Sequence, residues 1–202
     1  KNVKMEDLPP ILVYYMHLMT VLSACTVGRL NVTVVEAKIQ SAFSFEDLLA
    51  GILDPRCILI AKRFMALFYF DVIIDVEMAV PSLERSVNVW KQIVSCTDVL
   101  KSTLEEVKLL CKLGVDSPEV DHVMISYGVI CASILTGFFT RYFEAVNFRA
   151  YLESQDGMKL KFLDLATLLP SLHESLVQIH ELKCKYLLLH DKLSFFDAIE
   201  AV

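Results

Sequence analysis

Residues 83–94 read Leu-Glu-Arg-Ser-Val-Asn-Val-Trp-Lys-Gln-Ile-Val, and the spacing of their apolar side chains indicates the fold class. One face of an α-helix would carry the residues at offsets 0, +4, +7 and +11, which are Leu83, Val87, Trp90 and Val94. Polar side chains occupy the other faces, at Glu84, Asn88, Lys91 and Gln92. This pattern predicts an amphipathic helix with one packed side.

The same pattern recurs further along the chain. One apolar stripe consists of Leu100, Leu104, Val107 and Cys111. A longer stripe, with the spacing of a coiled coil or of a helix laid on its neighbours, consists of Leu172, Leu176, Ile179, Leu182, Tyr186, Leu189 and Leu193. We predict helices near residues 10–26, 45–53, 55–69, 82–96, 98–113, 118–146, 159–169 and 171–190.

Several of these boundaries rest on residues that favour the first turn of a helix. They are Ser44 with Glu46 and Asp47, Asp54-Pro55, Ser117-Pro118-Glu119 and Pro170-Ser171. The least helical stretch is 27–43, which contains a glycine and β-branched residues at 32–35. An irregular excursion or one short strand is expected there.

Successive helices with one apolar face and short connections predict an all-α protein. Such helices hide their apolar faces by stacking in pairs, so we expect an armadillo-like α-solenoid, with a globular helix bundle as the alternative. No Gly- or Pro-rich linker divides the chain, so residues 1–202 are predicted to form a single domain. Because the sequence begins with Lys1 and lacks an initiator methionine, we expect it to be a fragment of a larger protein.

Composition excludes some classes of partner. The chain has 202 residues, 55% of them apolar, and a net charge of -6, which argues against binding to nucleic acid. The six cysteines are far apart in apolar surroundings and are expected to be buried free thiols in a reducing compartment. They are Cys25, Cys57, Cys96, Cys111, Cys131 and Cys184.

The run 123–140 is uncharged and has the length of a membrane span, 18 residues. It has no basic cluster at either end, and it contains Ser126, Tyr127, Gly128, Cys131, Ser133, Thr136 and Gly137. These features favour a central helix packed inside a protein, so no membrane insertion of this segment is expected.

Candidate metal ligands are few. His173, His180 and Cys184 would share one helix face but lack the paired spacing of a zinc site. The carboxylates of Asp71, Asp75 and Glu77 could offer oxygens to calcium, but the calcium-loop pattern is absent and a solvated turn is the simpler interpretation. No metal and no cofactor is therefore predicted.

Other candidate sites are weak as well. Basic pairs that could hold an inositol phosphate or an acidic surface are Lys62-Arg63, Arg141 with Arg149, Lys159 with Lys161, and Lys183 with Lys185. Aromatic groups that could be interface anchors, but more often fill a core, are Phe64, Phe68, Tyr69, Phe70, Trp90, Phe138, Phe139, Tyr142 and Phe143. No catalytic motif or Gly-rich loop is present, so enzyme activity is not expected and no catalytic residue is assigned.

Three segments, called here the motif segments, resemble a known family. They are residues 22–29 (Leu-Ser-Ala-Cys-Thr-Val-Gly-Arg), 36–38 (Glu-Ala-Lys) and 71–78 (Asp-Val-Ile-Ile-Asp-Val-Glu-Met). The order of these segments resembles that in the cytosolic homology region of inositol trisphosphate receptors and ryanodine receptors. Further residues follow the same order, namely Asp47-Leu48, Cys57, Trp90, 133–136 and 138–140. The resemblance implies a helical, non-catalytic module. It carries over no residue of the family's inositol phosphate site, which lies upstream of this region.

The resemblance implies a regulatory role in an intracellular calcium-release channel, coupling ligand-dependent movements toward a distant pore. The partners would be neighbouring domains or subunits, and the chain would be a cytosolic domain of an endoplasmic reticulum membrane protein. The alternative is an α-solenoid scaffold or adaptor that binds another protein and has no pore. A third class, an enzyme or small-molecule carrier, would need a convergent polar pocket that the sequence does not indicate.

Overall fold

A computed structural model describes residues 5–26, 32–77, 79–81, 83–114, 117–142 and Pro170. All regular structure in these ranges is helical, which confirms the all-α prediction. The helices are α1 (Pro10–Thr26), α2 (Val32–Ala42), α3 (Phe45–Leu53), α4 (Leu59–Tyr69), α5 (Val87–Leu113) and α6 (His122–Tyr142). Short 3-10 turns span Met5–Asp7 and Leu83–Arg85, and a π-helical turn, Phe70–Ile74, follows α4 directly.

The chain forms two compact units, Lys1–Gln92 and Ile93–Val202. In the first unit α1 packs on α2 and α4, and α3 packs on α4. Its core is made of side chains that are almost fully buried, among them Met16, Leu49, Ile52, Phe68, Tyr69, Ile73 and Ile74. The rings of Phe43 and Phe68 meet edge to face at 5.2 Å.

A carboxylate joins two distant parts of this first unit. Glu46, in the first turn of α3, accepts hydrogen bonds from Ser86 Oγ (2.6 Å) and Asn88 Nδ2 (2.8 Å). Ser86 Oγ also accepts from the backbone amide of Val89 at 3.3 Å, so the same hydroxyl caps the start of α5. Glu46 therefore fixes the start of α5 against α3.

In the second unit α5 and α6 approach closely at Gly128. A Cβ atom at this position would lie 2.1 Å from Thr103 Oγ1, so only glycine fits. Thr103 Oγ1 instead bonds the carbonyl of Val99 in its own helix at 2.8 Å. At the start of α6, Asp121 Oδ1 accepts from the amide of Met124 at 3.0 Å and acts as the N-cap.

Two predicted helices are confirmed at both ends, and the predicted ends at residues 69 and 113 also agree, but other boundaries are wrong. The predictions 10–26 and 45–53 agree with α1 and α3, whereas 82–96 and 98–113 are one continuous helix, α5. No glycine or proline interrupts α5, and the Thr97 hydroxyl bonds back to the carbonyl of Ile93 at 3.4 Å. Val87 is 57% exposed although Leu83 and Trp90 are buried, because Leu83 precedes the helix and does not share its face.

The prediction for 27–43 is wrong over 32–42, which forms α2, and residues 27–31 lie outside the described residues. Packing outweighs the β-branched residues there, because Ile39 is 7% exposed and Glu36 only 3%. Asp54 does not start a helix either. Its carboxylate pairs with the Arg56 guanidinium at 2.7 Å, and α4 begins only at Leu59.

The last long described helix begins later than predicted. Residues 118–120 form a turn, and α6 runs from His122 to Tyr142. The predicted helices 159–169 and 171–190 lie outside the described residues.

Candidate functional site

The site begins at the π-helical turn Phe70–Ile74. There the amide of Asp75 donates to the carbonyl of Phe70 at 2.7 Å, a bond that spans five residues in place of the usual four. Val72, Ile73 and Ile74 are buried, so this wider turn is held in the core. π-helical turns are rare and frequently mark functional positions.

Side chains from α1 and α2 satisfy the carbonyls that the π-turn leaves open. The last carbonyls of any helix lack an amide from a following turn. Thr26 Oγ1, at the end of α1, lies 3.3 Å from the carbonyl oxygen of Asp71 and 2.7 Å from that of Ser23. Gln40 Nε2, on α2, donates to the carbonyl of Val72 at 2.8 Å. These bonds join α1, α2 and the π-turn into a unit that we call the Asp71 junction.

A further bond extends the junction toward solvent. Thr33 Oγ1, in the first turn of α2, donates to Glu77 Oε2 beyond the π-turn. The motif segments 22–29 and 71–78 are therefore joined directly, and Thr33 and Gln40, on either side of segment 36–38, bond segment 71–78 across 44 and 32 residues.

The carboxyl group of Asp71 is partly buried in this junction. Burial raises its pKa to about 6, the Ser23 hydroxyl lowers it, and the negative charge of Asp75 raises it further. Ser23 is 4% exposed, and its Oγ has no partner of regular hydrogen-bond geometry among the described residues. The junction thus holds a carboxyl group that changes charge near neutral pH beside a buried hydroxyl.

The acidic residues named from the sequence do not converge. Asp71 is partly buried, whereas Asp75 and Glu77 are exposed and Glu77 is bonded to Thr33. In the ranges that the structure describes, no three His, Cys, Asp or Glu side chains are grouped as metal ligands. His173, His180 and Cys184 lie outside those ranges.

Basic and aromatic candidates are distributed differently. The Arg63 guanidinium lies 5.3 Å from the centroid of the Phe64 ring, and Arg141 is exposed in the last turn of α6. Phe68, Tyr69 and Phe138 are core residues. Trp90 is buried as well, and the other positions named for these groups are partly buried or, from 143 onward, outside the described residues.

The cysteines are not uniformly buried. Cys96 and Cys131 are buried free thiols, and burial raises the pKa of Cys131 strongly, with a further contribution from Cys96. Cys57 is partly buried, and Cys25 is exposed, so the prediction that all are buried is wrong for Cys25. Cys25 lies on the exposed face of the last turn of α1, whose buried positions are Ser23 and Thr26.

α6 is the one described helix whose length and composition would allow it to cross a membrane. In its most apolar window 56% of the residues are buried inside the protein.

The sequence did not reveal Ser23, Thr26 or Gln40 as site residues. Each is an ordinary polar residue within a helix. Thr26 and Gln40 bond carbonyls that are 45 and 32 residues away, and Ser23 lies beside the distant Asp71 carboxyl. The only available signal was the order of the motif segments.

No model of a known protein family matches the chain, and no curated protein shows significant similarity to it. The contacts of the Asp71 junction are therefore the observations that bear on function.

Proposed function

We propose that the chain is a non-catalytic regulatory module of stacked helices, similar to the cytosolic solenoid of the inositol trisphosphate and ryanodine receptor family. In this role it couples ligand-dependent movements in neighbouring domains toward a distant pore. The observation that supports the proposal is the shared hydrogen bond of the Thr26 hydroxyl, which donates to Ser23 O at 2.7 Å and also reaches the carbonyl of Asp71 at 3.3 Å, linking two motif segments across 45 residues.

The junction is suited to mechanical coupling. The last turn of α1 and the body of α2 are each tied to the π-turn by a side chain that reaches a backbone carbonyl. A displacement of α1 along its axis therefore acts on the π-turn directly. A π-turn can change to α-helical geometry when its backbone hydrogen bonds move from a spacing of five residues to one of four. Such an element can switch between two arrangements.

A scaffold or adaptor role is the second candidate. The observation that favours it is the exposed apolar face of α1, where Ile11, Tyr14 and Tyr15 are 62%, 60% and 49% exposed. Such a patch is typical of a surface that binds another protein. The two roles differ in context, because the channel role requires membrane helices elsewhere in the parent protein.

The coupling is tested by hydrogen exchange on two matched variants. Thr26→Val removes the bond from α1 to Asp71, and Thr20→Val is the control because its hydroxyl bonds only Met16 O within α1 at 3.0 Å. We expect Thr26→Val to speed amide exchange in the π-turn and in α2 about fivefold, the effect of losing one hydrogen bond. Thr20→Val should leave both segments unchanged.

If both variants change the rate of amide hydrogen exchange only within α1, the junction does not couple the helices. The channel role is tested separately in the full-length parent, where Thr26→Val should shift ligand-evoked calcium release and Thr20→Val should not. A parent protein without membrane helices would leave the scaffold role as the function.

A further inference from the structure

A groove of about 510 Å³ opens between α1 and the α3–α4 connection, on the opposite half of α1 from the Asp71 junction. Its walls are mainly thioether and aliphatic side chains, contributed by Leu12, Met16, Met19, Ala61 and Met65. Methionine side chains adapt their shape to a bound apolar group. Cys57 also lines the groove, and burial raises the pKa of its thiol, so this residue adds an apolar surface more than a reactive group.

The apolar surface continues from the groove along α1. Tyr15 lines the groove, and Ile11 and Tyr14 extend the surface on the exposed side of the same helix. The spacing of positions 11, 14 and 15 is that of a helical stripe, and α1 contains no Asp, Glu, Lys or Arg. A continuous stripe beside an open groove fits a neighbouring helix better than it fits a compact small molecule.

Charge at the rim indicates the nature of the partner. Arg56 pairs with Asp54, which the guanidinium holds ionised by lowering its pKa to about 2, and the Arg56 side chain is 88% exposed. Lys62 lies close enough to act on both Asp54 and Cys57. The Arg56–Asp54 pair at the groove is balanced in charge, so Lys62, which acts on two groove residues from outside the lining, gives a local positive excess on a chain whose net charge is -6.

We propose that this groove binds an amphipathic helix of a partner protein, with apolar side chains in the methionine-lined groove and acidic side chains facing Arg56 and Lys62. A second copy of α1 would fit less well, because α1 has no acidic residue to face the basic rim. The inference goes beyond the coupling role and does not depend on it, since it rests on the groove and its rim.

The test uses a fluorescein-labelled synthetic peptide of about 18 residues, with leucines at helical spacing and glutamates on both flanks of the stripe. A matched peptide carries lysines in place of the glutamates. Anisotropy titration against the full 202-residue chain should show at least about tenfold tighter binding of the glutamate peptide at low salt, with the difference shrinking as salt is added.

Variants locate the binding. Lys62→Glu should weaken binding of the glutamate peptide about fivefold, whereas Lys91→Glu, an equal charge change on an exposed position of α5, should not. Gly51→Leu places a side chain against Met65, whose Sδ would lie 3.0 Å from a Cβ there, and should block both peptides. Far-UV circular dichroism shows whether Gly51→Leu folds. Tyr15→Ser changes an exposed residue of the groove and should weaken the binding of both peptides, so it tests the groove even if Gly51→Leu fails to fold.

Three results would overturn the proposal. The first is equal affinity for the two peptides, and the second is binding that survives Gly51→Leu in a folded protein. The third is occupation of the face by something else. If sedimentation shows that the mass doubles as concentration rises, and Tyr15→Ser restores the monomer mass, the face binds a second copy of the chain. If the chain binds phosphatidylserine vesicles in the absence of peptide, and Tyr15→Ser abolishes that binding, the face binds a membrane.

Discussion

Replacing Asp71 by asparagine should stabilise the first unit at neutral pH and have much less effect in acid. The folded protein raises the pKa of Asp71 from 3.8 to about 6, chiefly by burial. A raised carboxyl pKa means that the folded state binds the proton more tightly than the unfolded chain does. The folded state is therefore penalised where the carboxyl is charged, and the penalty disappears as pH falls from above 6 toward 4.

The size follows from the shift. A difference of roughly two pKa units corresponds to about 3 kcal/mol at pH 7.5, falling to about 1 kcal/mol at pH 4.5. Asparagine removes the charge and keeps the shape, so Asp71→Asn should raise the free energy of unfolding by up to about 3 kcal/mol at pH 7.5. A weaker contact with the Ser23 hydroxyl would subtract about 1 kcal/mol from that gain.

Urea unfolding can be followed through the fluorescence of Trp90, the single tryptophan, which is 4% exposed and belongs to the first unit. Measurements at several pH values between 4.5 and 7.5 should show that the difference between variant and wild type grows with pH. Asp75→Asn is the comparison variant: the charge of Asp75 is the smallest cause of the raised pKa of Asp71, so its removal should give a pH-dependent gain much smaller than that of Asp71→Asn. A difference that is constant across this pH range, or that shrinks as pH rises, would refute the account of Asp71.

Two further predictions concern the second unit and the thiols. Gly128→Ala should destabilise the packing of α5 on α6 by about 3 kcal/mol or more, because the new methyl group overlaps Thr103. The loss of stability should appear in thermal unfolding. Adding Thr103→Ser, which removes one of the overlapping atoms, should recover part of the loss. In native protein Cys25 should react with a thiol reagent much faster than Cys96 or Cys131, which should react fully only after unfolding. Equal reaction rates at the three positions, measured by mass spectrometry, would contradict the burial of Cys96 and Cys131.

The sequence predicted the helical class and both ends of α1 and α3. The signals at these ends are local, because Pro10 opens α1, Glu46 and Asp47 lie in the first turn of α3, and Asp54-Pro55 follows its end. α2 was missed because helix propensities differ by only about 0.5 kcal/mol per residue, which the burial of Ile39 and the Gln40 bond to the π-turn readily outweigh.

The start of α4 was predicted wrongly because Arg56 takes the Asp54 carboxylate that would otherwise cap a helix. An Asp-Pro pair commonly begins a helix, but Asp54 has a nearer partner, since both the backbone amide and the guanidinium of Arg56 bond its carboxylate. The Asp71 junction was beyond sequence reasoning for a different reason. Its bonds use backbone carbonyls as acceptors, and any residue supplies a carbonyl, so no residue type marks the position.

α1 links the two sites that the structure identifies. Met16 and Met19 face the groove, and one to two turns later Ser23 and Thr26 reach the Asp71 junction. Because α1 is a continuous helix of 17 residues, a partner that moves it also moves the hydroxyls that face Asp71.

Thermodynamic linkage turns this continuity into a measurable consequence. If groove binding changes the environment of Asp71, it changes that residue's proton affinity, and protonation must change peptide affinity by the same factor. The affinity of the glutamate peptide should then show a pH dependence near 6 that Asp71→Asn abolishes. The same peptide is titrated against wild type and Asp71→Asn, so that titration of the peptide's own carboxylates cancels in the comparison. An affinity difference between wild type and Asp71→Asn that stays constant from pH 5 to pH 7.5 would mean that α1 does not transmit binding to the junction, even if both sites exist.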